Sequence, residues 1–114
     1  MLTAERAAAR DPRLEETVRR LVEGLQPERI VLFGSMARGG AEEDSDVDLL
    51  VLQRTDAPRI EREWAAEGAL GWDRPLPTDV MVLTPEEYAR GLARGDPILQ
   101  EIEEEGVSVY ERGR

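Results

Sequence analysis

Two short runs, Ile30 to Phe33 and Leu49 to Leu52, are apolar at every position. A strand with one wet face alternates apolar and polar residues, so an unbroken run of this length reads as a strand covered on both faces. Two such strands demand helices on each side of a sheet, and the remaining sequence is patterned to supply them. From about Asp11 to Gly24, Leu14, Val18, Leu21, Val22 and Leu25 recur at helical spacing, with Asp11 as N-cap, Pro12 in the first turn and Pro27 as the stop. Ile60, Trp64, Ala65 and Leu70 indicate a second helix ahead of a Gly/Pro-rich loop over residues 71–77. Asp79 to Leu83 reads as a third strand. Thr84, Pro85, Glu86 and Glu87 open a third helix, and Asp96 with Pro97 opens a fourth that ends near Gly106. Val107, Val109 and Tyr110 close the chain as a strand. The expected fold is α/β (α+β), one domain over residues 1–114, with a mixed central sheet of about four strands flanked by helices.

Composition narrows the chemistry. The chain has no Cys, no His and no Lys, and all 15 of its basic residues are Arg. Disulfides, thiolate nucleophiles, His-based triads, Schiff bases and a P-loop lysine are all excluded. What remains is carboxylates, hydroxyls, arginine and bound metal. A formal net charge of -10 opposes direct binding to long nucleic-acid backbones. A small phosphorylated substrate is compatible with it, because divalent cations held by clustered carboxylates reverse the local field. No apolar run of about 18 residues occurs and residues 1–10 carry charges, so neither a membrane span nor a signal peptide is expected and the default location is cytoplasmic.

The candidate site lies around the second apolar run. On an extended strand Asp46 and Asp48 share a face, about 7 Å apart at Cα. They sit at the mouth of an otherwise apolar strand, where charge must be compensated, and a divalent ion is the simplest partner. Asp79 begins the third strand in the same way, on the face of Met81 and Leu83. If the second and third strands are neighbours, three carboxylates meet as a two-metal phosphoryl or nucleotidyl transfer requires. Mg²⁺ suits such oxygen ligands. Upstream, Gly34 permits a tight turn toward a phosphate, Ser35 offers a hydroxyl, and Arg38 is a planar donor for a triphosphate. Other readings are weaker. An EF-hand beginning at Asp44 would need Gly where Leu49 stands and Glu where Thr55 stands. A solvated acidic strand edge would not be followed by residues apolar on both faces. Trp64 and Trp72 read as packing or interface residues, and Glu101 to Glu105 as a solvated face without chemistry.

Gly34-Ser35, ten intervening residues and Asp46-Val47-Asp48 together resemble the signature of the DNA polymerase β-like nucleotidyltransferase superfamily, and most nearly its minimal (MNT) branch. The string LFGSMARGGAEEDSDVDLLV carries strand, phosphate turn, spacing and paired aspartates in the family's order, and Asp79 stands where a third carboxylate is needed. The resemblance implies that Asp46 and Asp48 bind two Mg²⁺ ions, that Asp79 binds one and helps to activate the acceptor hydroxyl, and that Gly34 and Ser35 hold the triphosphate of ATP. It implies transfer of a nucleoside monophosphate with release of pyrophosphate. Larger relatives place acceptor-binding elements in additional domains for which this length leaves no room, so the acceptor surface is expected from a partner or a second copy. In the MNT branch that partner is a small helical HEPN protein, which implies a toxin-antitoxin pair in which AMP is transferred to a hydroxyl, a tyrosine, of the toxin. The alternatives are a catalytically weak or inactive nucleotide-binding module that masks a HEPN partner, and an enzyme modifying a small molecule.

Overall fold

The computed structural model describes residues 11–34, 37 and 46–113. In chain order its elements are α1 (Pro12–Leu25), β1 (Arg29–Phe33), β2 (Val47–Leu52), α2 (Arg59–Leu70), β3 (Thr78–Leu83), α3 (Pro85–Ala93), α4 (Pro97–Glu105) and β4 (Val107–Glu111). The strands form one mixed sheet in the order β3-β2-β1-β4. β1 runs antiparallel to both neighbours, while β2 and β3 are parallel, joined by the crossover helix α2. The α+β class, the four strands and the flanking helices agree with expectation.

The unbroken apolar runs are the two inner strands, and each face of the sheet has its own core. Ile30, Leu32, Val47, Leu49 and Val51 point to the side covered by α1 and α2, where they meet Leu14, Leu21, Leu25, Ala66 and Leu70. Val31, Leu50 and Leu52 point to the other side and meet Leu99 and Ile102 of α4, with Tyr88 and Leu92 of α3 against them. At about 25 cal/mol per Å² of apolar surface, burial on both faces is the main favourable contribution to this fold.

Helix ends follow local chemistry. Asp11 accepts from the Arg13 N–H at 2.9 Å to cap α1, and the helix stops at Gln26, which takes a left-handed φ of 49° ahead of Pro27. Thr84 and Glu87 form a reciprocal capping box on α3. Asp96 accepts from the N–H groups of Ile98 and Leu99 to cap α4.

The second helix is present, but of the apolar residues that signal it only Leu70 lies on its buried face. Ile60, Trp64 and Ala65 are exposed, and Arg62, Ala66 and Leu70 are buried. Arg62 is tolerated because its guanidinium is fully engaged, by the Ala57 carbonyl at 2.8 Å and by both carboxylate oxygens of Glu87 at 2.7 and 3.3 Å. That pair ties α2 to the start of α3. α2 therefore straddles the open edge of β3: its C-terminal half packs on the α1 side of the sheet, while its first turn reaches the face covered by α3 and α4. No helix among the described residues is long and apolar enough to cross a membrane.

Candidate active site

Strand register decides which side chains meet. Phe33 is paired with Asp48 across the β1–β2 ladder, and Asp48 with Asp79 across the β2–β3 ladder. Two residues directly opposite on neighbouring strands point to the same face. Asp48 alternates with Val47 and Leu49, both in the α1/α2 core, so it points to the α3/α4 side. Asp79 does the same, alternating with Val80 and sharing its face with Met81 and Leu83. Asp46 immediately precedes β2, is exposed and is close enough to act on the Asp48 carboxylate. The three aspartates thus gather at the entrance of the parallel strand pair.

Asp48 is half-buried, and its carboxyl is pushed above the ordinary aspartate range, first by burial and then by the like charges of Asp79, Asp46 and Glu101. Glu101 stands on α4, and its field reaches Asp48 from the helix layer. Glu101 is exposed, as the reading of residues 101–105 as a solvated face expects, and its charge is the last of the influences on Asp48. The sequence alone could not have placed it, because its approach depends on how α4 lies on the sheet.

Gly34 ends β1 with a φ of +79°, a left-handed conformation that L side chains rarely adopt. A β-carbon built there would overlap Oδ2 of Asp48. Ser35 and Arg38 lie outside the described residues. The structure adds two residues that motif reasoning did not reach, Arg59 and Glu63 of α2. They line a cleft of about 270 Å³ together with Phe33, Asp48, Asp79 and Met81. Their signal in the sequence is slight, since nothing local says that the first turn of a crossover helix will wrap a strand edge. Trp64 and Trp72 are 65% and 97% exposed, which removes the packing reading for both.

A larger cavity of about 450 Å³ lies elsewhere, between α1 and β4, walled by Leu14, Val18, Val22 and Val109. Size favours that cavity as a ligand site, but chemistry favours the smaller one, where carboxylates converge.

The fold family implies a divalent cation, and the donor set can be tested for fit. Among the described residues no three carboxylates are already gathered at coordinating distance. The register nevertheless sets Asp48 and Asp79 opposite each other on neighbouring strands, so both carboxylates project from the same face of the sheet. The Asp48 carboxyl is raised first by burial and then by the like charges beside it, and a cation would relieve the second of these. All-oxygen, carboxylate-rich and partly open, the site fits Mg²⁺ in its donors.

The description "nucleotidyltransferase domain" belongs to the family model that matches residues 12–109, most of the chain. Among solved structures, a toxin-antitoxin crystallised with AMP-PNP superposes with a TM-score of 0.61 at 20% identity, covering 87% of this chain and 73% of the other. A protein from Sulfolobus solfataricus classed as a nucleotidyltransferase superposes with a TM-score of 0.63 at 17% identity, covering 99% and 88%. At such identities the two structures establish shared fold. No curated protein sequence matches.

Proposed function

This chain belongs to the nucleotidyltransferase domain family, and from that premise we propose that it transfers AMP from ATP to a hydroxyl, a tyrosine, of a partner protein. One observation carries the reading: Asp48 and Asp79 stand side by side on adjacent parallel strands, with Asp46 leading into the first. In the reaction the bond between the α-phosphorus and the oxygen bridging to the β-phosphate breaks. The acceptor oxygen bonds to the α-phosphorus, pyrophosphate leaves, and the hydroxyl proton passes to the Asp79 carboxylate and then to water. Asp46, Asp48 and Asp79 are the residues that would hold two Mg²⁺ ions, which supply charge neutralisation at the triphosphate and at the attacking oxygen. Gly34 lets the backbone close on this row from the β1 side, and Ser35 and Arg38 serve the triphosphate there.

The toxin-antitoxin neighbour crystallised with AMP-PNP supports an adenine nucleotide and a paired partner. We take that partner to be a HEPN-type toxin that the modification silences. Incubating the protein with α-labelled ATP, Mg²⁺ and the partner should label the partner and release pyrophosphate, and Asp46→Asn and Asp48→Asn should abolish both. An unlabelled partner with the unaltered protein would sink the catalytic reading. Full neutralisation of the toxin by the Asp46→Asn/Asp48→Asn protein at stoichiometric ratio would replace it with masking.

A further inference from the structure

Beyond Asp79, on the same face of β3, a second cleft of about 330 Å³ opens between the first turn of α2, β3, α3 and α4. It shares Arg59 and Met81 with the carboxylate cleft, so the two adjoin with Arg59 at the junction. Its apolar wall is Met81, Leu83 and Leu99, and its charged side chains are Arg59, Glu87, Arg94 and Asp96.

Both acids are already engaged inside the fold. Glu87 is held by Arg62 and accepts from the Thr84 N–H at 2.9 Å. Asp96 accepts from the N–H groups of Ile98 at 2.9 Å and Leu99 at 3.2 Å. The two arginines are not so engaged. Among the described residues Arg94, at the end of α3, has no carboxylate within ion-pair distance, and Arg59 has one long contact, its Nε to Glu63 Oε2 at 3.4 Å. In a chain of net charge -10, this cleft presents two guanidinium groups over an apolar wall, that of Arg94 without an ion pair among the described residues and that of Arg59 with only the long contact to Glu63. Each is built to take a carboxylate or phosphate in a two-pronged hydrogen bond.

Position then selects the ligand. Gly34 closes on Asp48 from the β1 side, whereas Asp79 lies on the edge strand with the cleft beyond it. The cleft therefore flanks the carboxylate row on the side remote from Gly34. We infer that it is a specificity subsite for the acceptor polypeptide, receiving an acidic residue that neighbours the hydroxyl-bearing residue. The acidic side chain pairs with Arg59 and Arg94, the apolar wall takes its aliphatic neighbours, and basic segments are rejected by like charge. This assignment rests on the proposed transfer to a protein hydroxyl, since the same cations beside a nucleotide would serve the triphosphate.

The test reads binding rather than turnover. Two fluorescein-labelled peptides, alike except that a tyrosine is flanked by Glu in one and Gln in the other, are titrated with the whole protein and followed by anisotropy. The Glu peptide is expected to bind about tenfold more tightly, the scale of one charge-assisted contact. Arg59→Gln/Arg94→Gln should erase that preference, and Arg59→Glu/Arg94→Glu should transfer it to a Lys-flanked peptide. Asp46→Asn/Asp48→Asn should retain it while losing transfer. Equal binding of the Glu and Gln peptides, no binding of either, or a preference untouched by the arginine substitutions overturns the assignment. A fall in ATP affinity in Arg59→Gln/Arg94→Gln, with peptide preference unchanged, gives the cleft to the nucleotide and overturns it too. Selective peptide binding without any transfer counts against the catalytic reading alone. Circular dichroism of each variant confirms that it is folded.

Discussion

Gly34 and Asp48 are in such close apposition that the glycine's missing side chain is what leaves room for the aspartate's Oδ2. Gly34→Ala therefore meets two penalties, a positive φ of 79° costing about 1 to 2 kcal/mol and a displaced carboxylate. Transfer should fall by about 100-fold, the usual consequence of moving a reacting group by roughly 1 Å. Single-turnover labelling beside a thermal melt separates the two effects. An unaltered rate would show that Asp48 need not hold its position.

Burial of Asp48, with like charges beside it, sets a second expectation. A carboxyl whose pKa is raised on folding costs stability at neutral pH, and that cost is relieved as pH falls through the folded value. Asp48→Asn removes a charge that is both half-buried and crowded, so with chelator present it should stabilise the fold by about 0.5 to 1 kcal/mol. Added Mg²⁺ should raise the melting temperature of the unaltered protein and not that of Asp48→Asn. Urea titrations with and without Mg²⁺ measure both, and a destabilised Asp48→Asn contradicts the account.

The packing of α1 on α2 depends on Gly24. A β-carbon there would lie 2.6 Å from Cβ of Ala69, an atom on a rigid stem that cannot turn aside. Gly24→Ala gains about 1 kcal/mol of helix propensity. It loses about 1 to 3 kcal/mol to overpacking. The net should be destabilisation of about 1 kcal/mol, reversed toward neutral by Ala69→Gly in the same molecule, as a double-mutant cycle in urea would reveal. Gly24→Ala that is more stable than the parent would mean that the helices simply separate.

Arg62 and Glu87 give the fold an acid-sensitive tie. The Glu87 carboxyl is held down to about 2, first by Arg62 and then by the Thr84 amide, from an ordinary value of 4.5. A depressed carboxyl contributes fully above the unfolded value, and its contribution is lost as pH falls from about 4.5 to about 2. Glu87→Gln leaves Arg62, only 7% exposed, without its countercharge and should cost about 2 kcal/mol at pH 7. Between pH 4.5 and 2 the gap to the parent should close, and a constant gap would locate the loss elsewhere. Glu16 is depressed to a similar value by Arg19 and Arg20, so the difference between the two proteins, not either curve alone, is the measurement.

Much of this architecture was legible in the sequence because the relevant forces are local. Uninterrupted apolar runs specify strands covered on both faces, and Asp11, Thr84 and Asp96, each followed by proline, specify helix starts. Alternation along β3 was enough to set Asp79 on the face of Met81. Two things were not legible. The orientation of α2 reverses the reading of Ile60 and Trp64, because a buried Arg62 satisfied by Glu87 outweighs the apolar count of the other face. Arg59 and Glu101 reach the candidate site, and Arg94 the adjoining cleft, only through helix placement, which sequence spacing does not encode.

The one-to-one pairing of Asp48 with Asp79 has a last consequence for quality control. Side chains alternate along a strand, so slipping β2 by a single residue would turn Asp48 into the α1/α2 core and bring Leu50 and its neighbours to the wrong face. Such a molecule would bury unpaired charge and unfold rather than persist as a sluggish copy. Under the proposed function, activity and correct assembly are therefore a single event, and the specific activity of a preparation should report the fraction of molecules that folded.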